Sequence, residues 1–237
     1  MPSSQYQRVV LKLSGETLSG EGKQGVDFLK VATLCEELKP ALDSGTQIAL
    51  VLGGGNIFRG RDAADLQLDR VAADRLGMLA TIVNASALGA ALASRGFSTR
   101  VFSATPMSPL AEPYSVEAAR AALDRGELVF ASGGIGSPFF STDTTAALRA
   151  LELGAQALLK GTKVDGIYAS DPKLDPTATR YDTLSYDEAL AKDLKVMDAT
   201  AMALCRDGGL PVRVFDFSTS GNLKRILSGE PLGTLLQ

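Results

Sequence analysis

Residues Ile48–Gly60 read IALVLGGGNIFRG. Five apolar residues, the length and character of a strand buried on both faces, run into three consecutive glycines, and the permanent charge of Arg59 follows. A buried strand that ends in a bare turn is the repeating unit of an open α/β sheet, and the rest of the chain extends the pattern. RVVLKL (8–13), QIALVL (47–52), STRVFSA (98–104), ELVFAS (127–132), AQALLK (155–160) and VRVFDF (212–217) read as strands. FLKVATLCEELKPALDSG (28–45), the 65–94 region, SVEAARAALDRG (115–126) and TDTTAALRALELG (142–154) read as the helices between them, with Gly45, Gly126 and Gly154 as stops. The expected fold is a three-layer α/β/α sandwich around a largely parallel sheet.

After Lys160 the composition shifts to Asp, Pro and Thr, in GTKVDGIYASDPKLDPTATRYDTLSYDEALAKD (161–193), which reads as turns and short hairpins. A soft lobe boundary is therefore placed near Gly161, giving lobes 1–160 and 161–237 of one continuous unit.

Composition narrows the chemistry. With 237 residues, 45% hydrophobic, the chain can bury a full core, and its formal net charge of -3 is not that of a protein living on nucleic acid. There is no histidine, which removes histidine general bases, Ser-His triads and the commonest transition-metal ligand. Cys35 and Cys205 lack C-x-x-C spacing, and the opening MPSSQYQRVVLKLSG lacks the apolar core of an export signal, so a reducing cytoplasm is expected. The uncharged run Leu76–Ser94 is dominated by Ala, Gly, Ser, Thr and Asn, and reads as a closely packed buried helix, at a subunit interface, in preference to a membrane span.

In open α/β sheets ligands bind beyond the carboxyl ends of the strands, where Gly53, Gly54 and Gly55 stand. Glycines there bring backbone amides against a phosphate; the alternative is a plain tight turn. No dinucleotide fingerprint fits, because its last glycine would fall on Phe58, and no G-x-x-x-x-G-K-[ST] occurs. Lys12 interrupts the first strand at its carboxyl end. It reads either as a lysine snorkelling from an edge strand or as a cation converging with Arg59 on a polyanion.

ASGGIGSPFFSTD (131–143) is a second glycine loop, with Phe139 and Phe140 as flat surfaces for a base and Ser141 or Thr142 capping the next helix. Asp143 either favours the helix pole or steers Mg²⁺ beside phosphates. Thr162, Lys163, Tyr168 and Asp171 form a further cluster, readable as a surface hairpin or as a base and ribose site.

LKLSGE, GGGNIFRG, DRLGMLATIVNA, SGGIGSPFFSTD, LLKGTKVDGIYASDPK and LKVMDATAMALCRD occur in that order along the chain. In these motifs the sequence resembles the uridylate kinase branch of the amino acid kinase family over essentially its whole length. The resemblance implies that family's fold and transfer of the ATP γ-phosphoryl group to UMP with Mg²⁺. It further implies that Lys12, Leu13, Ser14, Gly15, Gly55 and Arg59 meet the ATP phosphates, and that Thr162, Tyr168 and Asp171 surround its base and ribose. Gly54, Asp74 and the run Ile135, Gly136, Ser137, Pro138, Phe139, Phe140, Ser141 and Thr142 would hold UMP, with Lys12, Arg59 and Asp143 catalytic and Asp143 the one candidate to face the metal. A hexamer, GTP activation and UTP inhibition are implied too, with Ser19–Gly25 and the region around Arg100 variable among members. Without histidine such chemistry still works: a phosphate monoester has a second pKa of about 6, so the acceptor is already mostly dianionic at neutral pH. The competing expectations are a relative that phosphorylates a carboxylate or carbamate, and a non-catalytic binding assembly on the same fold.

Overall fold

The computed structural model describes residues 4–22, 24–59, 67–170, 174–175, 177–194 and 196–237. Its strands are β1 (Arg8–Leu13), β2 (Gln47–Leu52), β3 (Thr99–Ser103), β4 (Glu112–Pro113), β5 (Leu128–Ser132), β6 (Ala157–Thr162), β7 (Ile167–Tyr168), β8 (Arg180–Tyr181), β9 (Thr183–Leu184), β10 (Val212–Asp216) and β11 (Thr234–Leu236). Its helices are α1 (Phe28–Asp43), α2 (Arg70–Ala93), α3 (Val116–Asp124), α4 (Thr142–Leu153), α5 (Tyr186–Ala191), α6 (Ala199–Asp207) and α7 (Asn222–Leu227), with a 3-10 turn at Gly15–Leu18. Each strand and helix expected from the sequence appears within a few residues of its expected ends. Residues 65 and 66, at the start of the expected 65–94 helix, lie outside the described residues.

Nine strands form one sheet in the order β4-β3-β5-β2-β1-β6-β10-β11-β9, in which the β10–β11 pair alone among these is antiparallel. Strand alternation builds the three layers. Val10 of β1 joins a core with Ala119 of α3, Ala147 of α4 and Met202 of α6, whereas Val9, Leu11 and Leu13 join the opposite core with Leu34 of α1, Leu88 of α2 and Ile226 of α7. Each fully buried leucine here contributes roughly 1.5–3 kcal/mol. Gly161, where the lobe boundary was expected, lies inside β6, and strands from both sides of it share the sheet.

Helix α2 is long and apolar enough to cross a bilayer, with a mean hydropathy of 1.7. It instead lays Ala85, Leu88 and Leu92 on the sheet and buries Thr81 and Asn84 in hydrogen bonds. Within one chain only that face is covered: Leu76, Leu79 and Val83 form an apolar stripe on the outer side, Val83 being 52% exposed.

Two clefts open at the carboxyl edge of the sheet, where connections diverge. β2 runs out past β5 to β3, and β5 returns through α4 to β6, on the far side of β1. Those reversals leave space above β2 and β5 and above β1 and β6.

Candidate active site

The glycine turn after β2 is built by three different demands. A Cβ on Gly54 would lie 2.7 Å from both Ala80 Cβ and Gly77 O, so only glycine lets α2 pack this close. Gly55 meets nothing within 4 Å and presents its backbone to open space. Beneath the turn, Asn84 and Asn56, 0% and 2% exposed, exchange side-chain hydrogen bonds. Asn84 also donates to Gly53 O at 2.7 Å and Asn56 to Gly25 O at 2.8 Å. Buried amides with their capacity filled in this way hold a loop to one shape.

Above β2 and β5 lies a cleft of about 270 Å³, lined among others by Gly54, Gly55, Asp74, Gly134, Phe140 and Thr142. The loop that closes it carries positive φ at Gly133, Gly134, Gly136 and Phe139. Phe139, a left-handed residue with a large side chain, is held by its N–H, which donates to Asp74 Oδ2 at 2.7 Å. Asp74 is aimed in turn by Arg70 Nε at 2.7 Å. The residues expected to hold an acceptor thus share one cleft and its loop. Ser141 has a second duty as the N-cap of α4, accepting from Asp143 N and Thr144 N, and it also donates to Asp198. Asp198, the N-cap of α6, receives Thr144 Oγ1 at 2.9 Å and so ties the two helix starts together.

Above β1 and β6 lies a larger groove of about 640 Å³, lined among others by Lys12, Ser14, Glu16, Lys160, Thr162 and Lys163. Lys12 and Lys160 are register partners on adjacent parallel strands. Asp143, from the first turn of α4, reaches between them, 2.9 Å from Lys12 Nζ through Oδ1 and 2.7 Å from Lys160 Nζ through Oδ2. Lys160 also donates to Val196 O. Burial would push the Asp143 carboxyl up, but Lys12 and Lys160 together hold it below the ordinary value. Burial pulls the Lys160 ammonium below its ordinary value; Asp143 opposes this, and Lys12 offsets part of what Asp143 restores. Two cations on one anion leave a surplus positive charge where strand ends meet a helix amino terminus, a setting suited to a polyphosphate.

Lys12 is thus neither an edge-strand lysine nor the immediate partner of Arg59. The neighbouring cation is Lys160, which the sequence reading passed over although ALLK repeats the pattern of VVLK. Arg59 donates from Nε to Gly55 O at 2.7 Å and from Nη2 to Glu16 at 3.3 Å, and Lys163 reaches the other oxygen of Glu16 at 2.9 Å. Arg59 and Lys163 therefore meet on Glu16, which lines the groove. Leu13 faces the core and offers only its carbonyl, which accepts from Gly53 N at 2.9 Å. A Cβ on Gly15 would collide with Asn56 and Gly53, so this residue sets how closely the first and second strand ends approach. Thr162 spends its hydroxyl on Val164 O and Phe215 O. Tyr168 stands on the β7–β8 hairpin with its hydroxyl on Asp165 at 2.6 Å. Asp171 lies outside the described residues.

Among the described residues no group of three or more His, Cys, Asp or Glu side chains could hold a metal ion. Oδ1 of Asp143 is buried and has no aligned hydrogen bond, only the charge of Lys12 beside it. That spare acceptor fits a divalent ion held chiefly by phosphate oxygens and water, as Mg²⁺ commonly is.

The family model described as amino acid kinase family matches residues 7–216. The chain is 48% identical to a protein named uridylate kinase from Bacteroides thetaiotaomicron, over 98% of this chain and 99% of the relative. It is 47% identical to one of the same name from Phocaeicola vulgatus at the same coverage. Among solved structures, UMP kinase from Bacillus anthracis superposes with a TM-score of 0.96 at 38% identity, over 98% of this chain and 96% of that one. UMP kinase from Ureaplasma parvum gives 0.93 at 36% identity, over 98% and 99%.

Proposed function

Because the chain belongs to the amino acid kinase family, and within it to the uridylate kinases, we propose that it is a UMP kinase, transferring the γ-phosphoryl group of ATP to UMP to give ADP and UDP. The observation that carries this is the seat of Asp143. Thr142 beside it lines the smaller cleft, and its two lysine partners line the larger groove, so a cationic cluster stands at the seam between the two clefts, which supports one for the acceptor and one for the triphosphate.

On this reading the phosphates of ATP lie along Lys12, Ser14 and Gly15, with Gly55 and Arg59 approaching from the second strand end and Thr162, Tyr168 and Asp171 serving base and ribose. UMP lies in the smaller cleft on Gly54, Asp74 and the 135–142 loop. Mg²⁺ would enter with ATP on its phosphate oxygens, facing Asp143, and would neutralise charge on the bridging oxygens. No side chain need remove a proton, since the acceptor arrives as a dianion. Lys12 and Lys160 meet charge growing on the transferring group, and Asp143 sets where both ammonium groups stand. Release of ADP in the presence of ATP and UMP, measured beside CMP, a carboxylate acceptor and no acceptor, tests the reading. Equal rates with all acceptors would overturn it, and turnover only with the carboxylate would move the chain to another member activity.

Asp74→Asn keeps the size of the side chain but removes the charge from its bond to Phe139 N–H. Losing a charge-assisted bond of about 1.5 kcal/mol should raise the UMP KM roughly tenfold. The ATP KM should stay near its wild-type value; an equal rise in both would detach Asp74 from the acceptor cleft.

The same reading places the enzyme in the cytoplasm as a hexamer, activated by GTP and inhibited by UTP at the acceptor cleft. The stripe Leu76, Leu79 and Val83 supports assembly, since exposed apolar rows on a helix are what self-association covers. Light scattering at micromolar concentration should show an oligomer, and Val83→Glu should reduce its size. A wild-type monomer would remove the assembly.

A further inference from the structure

Arg149 stands two turns beyond Asp143 on α4, only 5% exposed, and the phosphoryl chemistry does not use it. Burying a cation costs several kcal/mol per ion before pairing, so a guanidinium in this helix face needs a reason. Its contacts divide three ways. Nη1 donates to Glu152 Oε2 at 2.6 Å, Nη2 donates to the carbonyl of Gly134 at 3.3 Å, and Cζ lies 3.8 Å from the centroid of the Tyr114 ring. Tyr114 in turn donates its hydroxyl to the same Oε2 at 2.8 Å, so Glu152 is gripped from two sides and keeps the guanidinium oriented.

The bond that packing alone would not provide is the one to Gly134. This residue lines the smaller cleft and sits at φ 62, at the entry of the loop. A trans peptide is planar, with N–H opposite C=O. Holding the Gly134 carbonyl toward Arg149 therefore turns the Ile135 N–H the other way, and that N–H has no protein acceptor among the described residues. Asp74 secures the same loop near its far end through Phe139 N–H. The loop is thus held at Gly133 by the Thr81 hydroxyl, at Gly134 by Arg149 and, at the rim, at Phe139 by Asp74, with a turn from Gly136 N–H to Gly133 O between them.

We propose that Arg149 is the positioning residue of the acceptor loop, fixing the Gly134–Ile135 peptide so that its N–H is presented for UMP, and so setting affinity for the acceptor without bearing on ATP. The role rests on the UMP kinase reading. Its test compares wild type with Arg149→Lys, which keeps the charge but cannot serve Glu152, Gly134 and Tyr114 together, and with Glu152→Gln, which loosens the grip on an intact guanidinium. Steady-state kinetics, equilibrium binding of UMP and of ATP by calorimetry, and melting curves are read on each. Arg149→Lys should raise the UMP KM and Kd by roughly tenfold, as expected for one lost charge-assisted bond, with both ATP constants within about twofold of wild type. Glu152→Gln should move UMP in the same direction by less, and it decides alone should Arg149→Lys fail to fold. Unchanged UMP binding, or equal losses for UMP and ATP, would overturn the proposal and leave Arg149 a structural strut. A wild type that binds UMP yet releases no ADP would instead overturn the kinase reading, while the binding comparison would still decide whether Arg149 sets the loop.

Discussion

Lys12→Met is expected to lower kcat by roughly 10²- to 10³-fold, the usual loss when one preorganised donor to a developing anion is removed. Both KM values should change far less, because a contact stronger in the transition state than in the ground state acts on the chemical step. The fold should survive. With the Lys12 ammonium gone, Asp143 keeps Lys160 at 2.7 Å, so the buried charges become a one-to-one pair instead of two cations on one anion. Methionine occupies a strand whose neighbours Leu11 and Leu13 are wholly buried. Kinetics and a melting curve on one preparation decide it: near-normal kcat with a collapsed Tm would make Lys12 structural and shift the phosphate chemistry to Lys160 and the glycine amides.

Asp143→Asn should be the most damaging single change to the fold and should also abolish useful turnover. It leaves two ammonium groups on register-paired strands with no carboxylate between them. Removing one partner of a buried ionic cluster typically costs about 3–5 kcal/mol. For a chain of this size each kcal/mol is worth roughly 2–4 °C, so Tm should fall by about 10 °C.

The pH dependence separates this from generic damage. Asp143 titrates below its ordinary value in the folded protein, so its stabilisation is present above the unfolded value and is lost as pH falls through the folded one. The asparagine variant lacks that acid limb. Lys160 is already lowered by burial, and without the carboxylate it falls further. In the window between its folded and unfolded values the unfolded chain binds more protons, so stability there rises with pH. Tm of the variant should therefore recover relative to wild type as pH rises from the lowered folded value of Lys160 toward the ordinary lysine value and one lysine discharges. A Tm deficit constant across that range would mean that the two ammonium groups do not repel as the geometry requires.

The architecture was legible in the chain because it depends on local rules. Apolar runs of strand length, helix-period segments and the stops at Gly45, Gly126 and Gly154 specify β/α alternation wherever they fall, and a parallel sheet covered on both faces follows from burial alone. The glycine clusters at 53–55 and 133–136 were legible for a similar reason: bare backbone at the end of a buried strand has few uses. The complete absence of histidine had already left the chemistry to Lys, Arg, Asp, backbone amides or a ligand's own groups.

Partner choice among the charged residues was not legible. Lys12 was expected to converge with Arg59 on a polyanion, and its nearer neighbours went unread: strand order places β6 beside β1, so the register brings in Lys160 from 148 positions away and α4 drops Asp143 between them. Glu16 collecting Arg59 and Lys163, Asp198 tying together the starts of α4 and α6, the Asn56–Asn84 exchange and the grip of Arg149 on Gly134 arise in the same way. Each joins residues far apart in sequence, with no period or spacing to announce it. The sequence by itself determined the layers, the sheet and the places where a phosphate could lie. Only the tertiary structure decided which charges face one another there, because a buried ion's partner is set by which strand ends and helix starts the chain brings within about 3 Å.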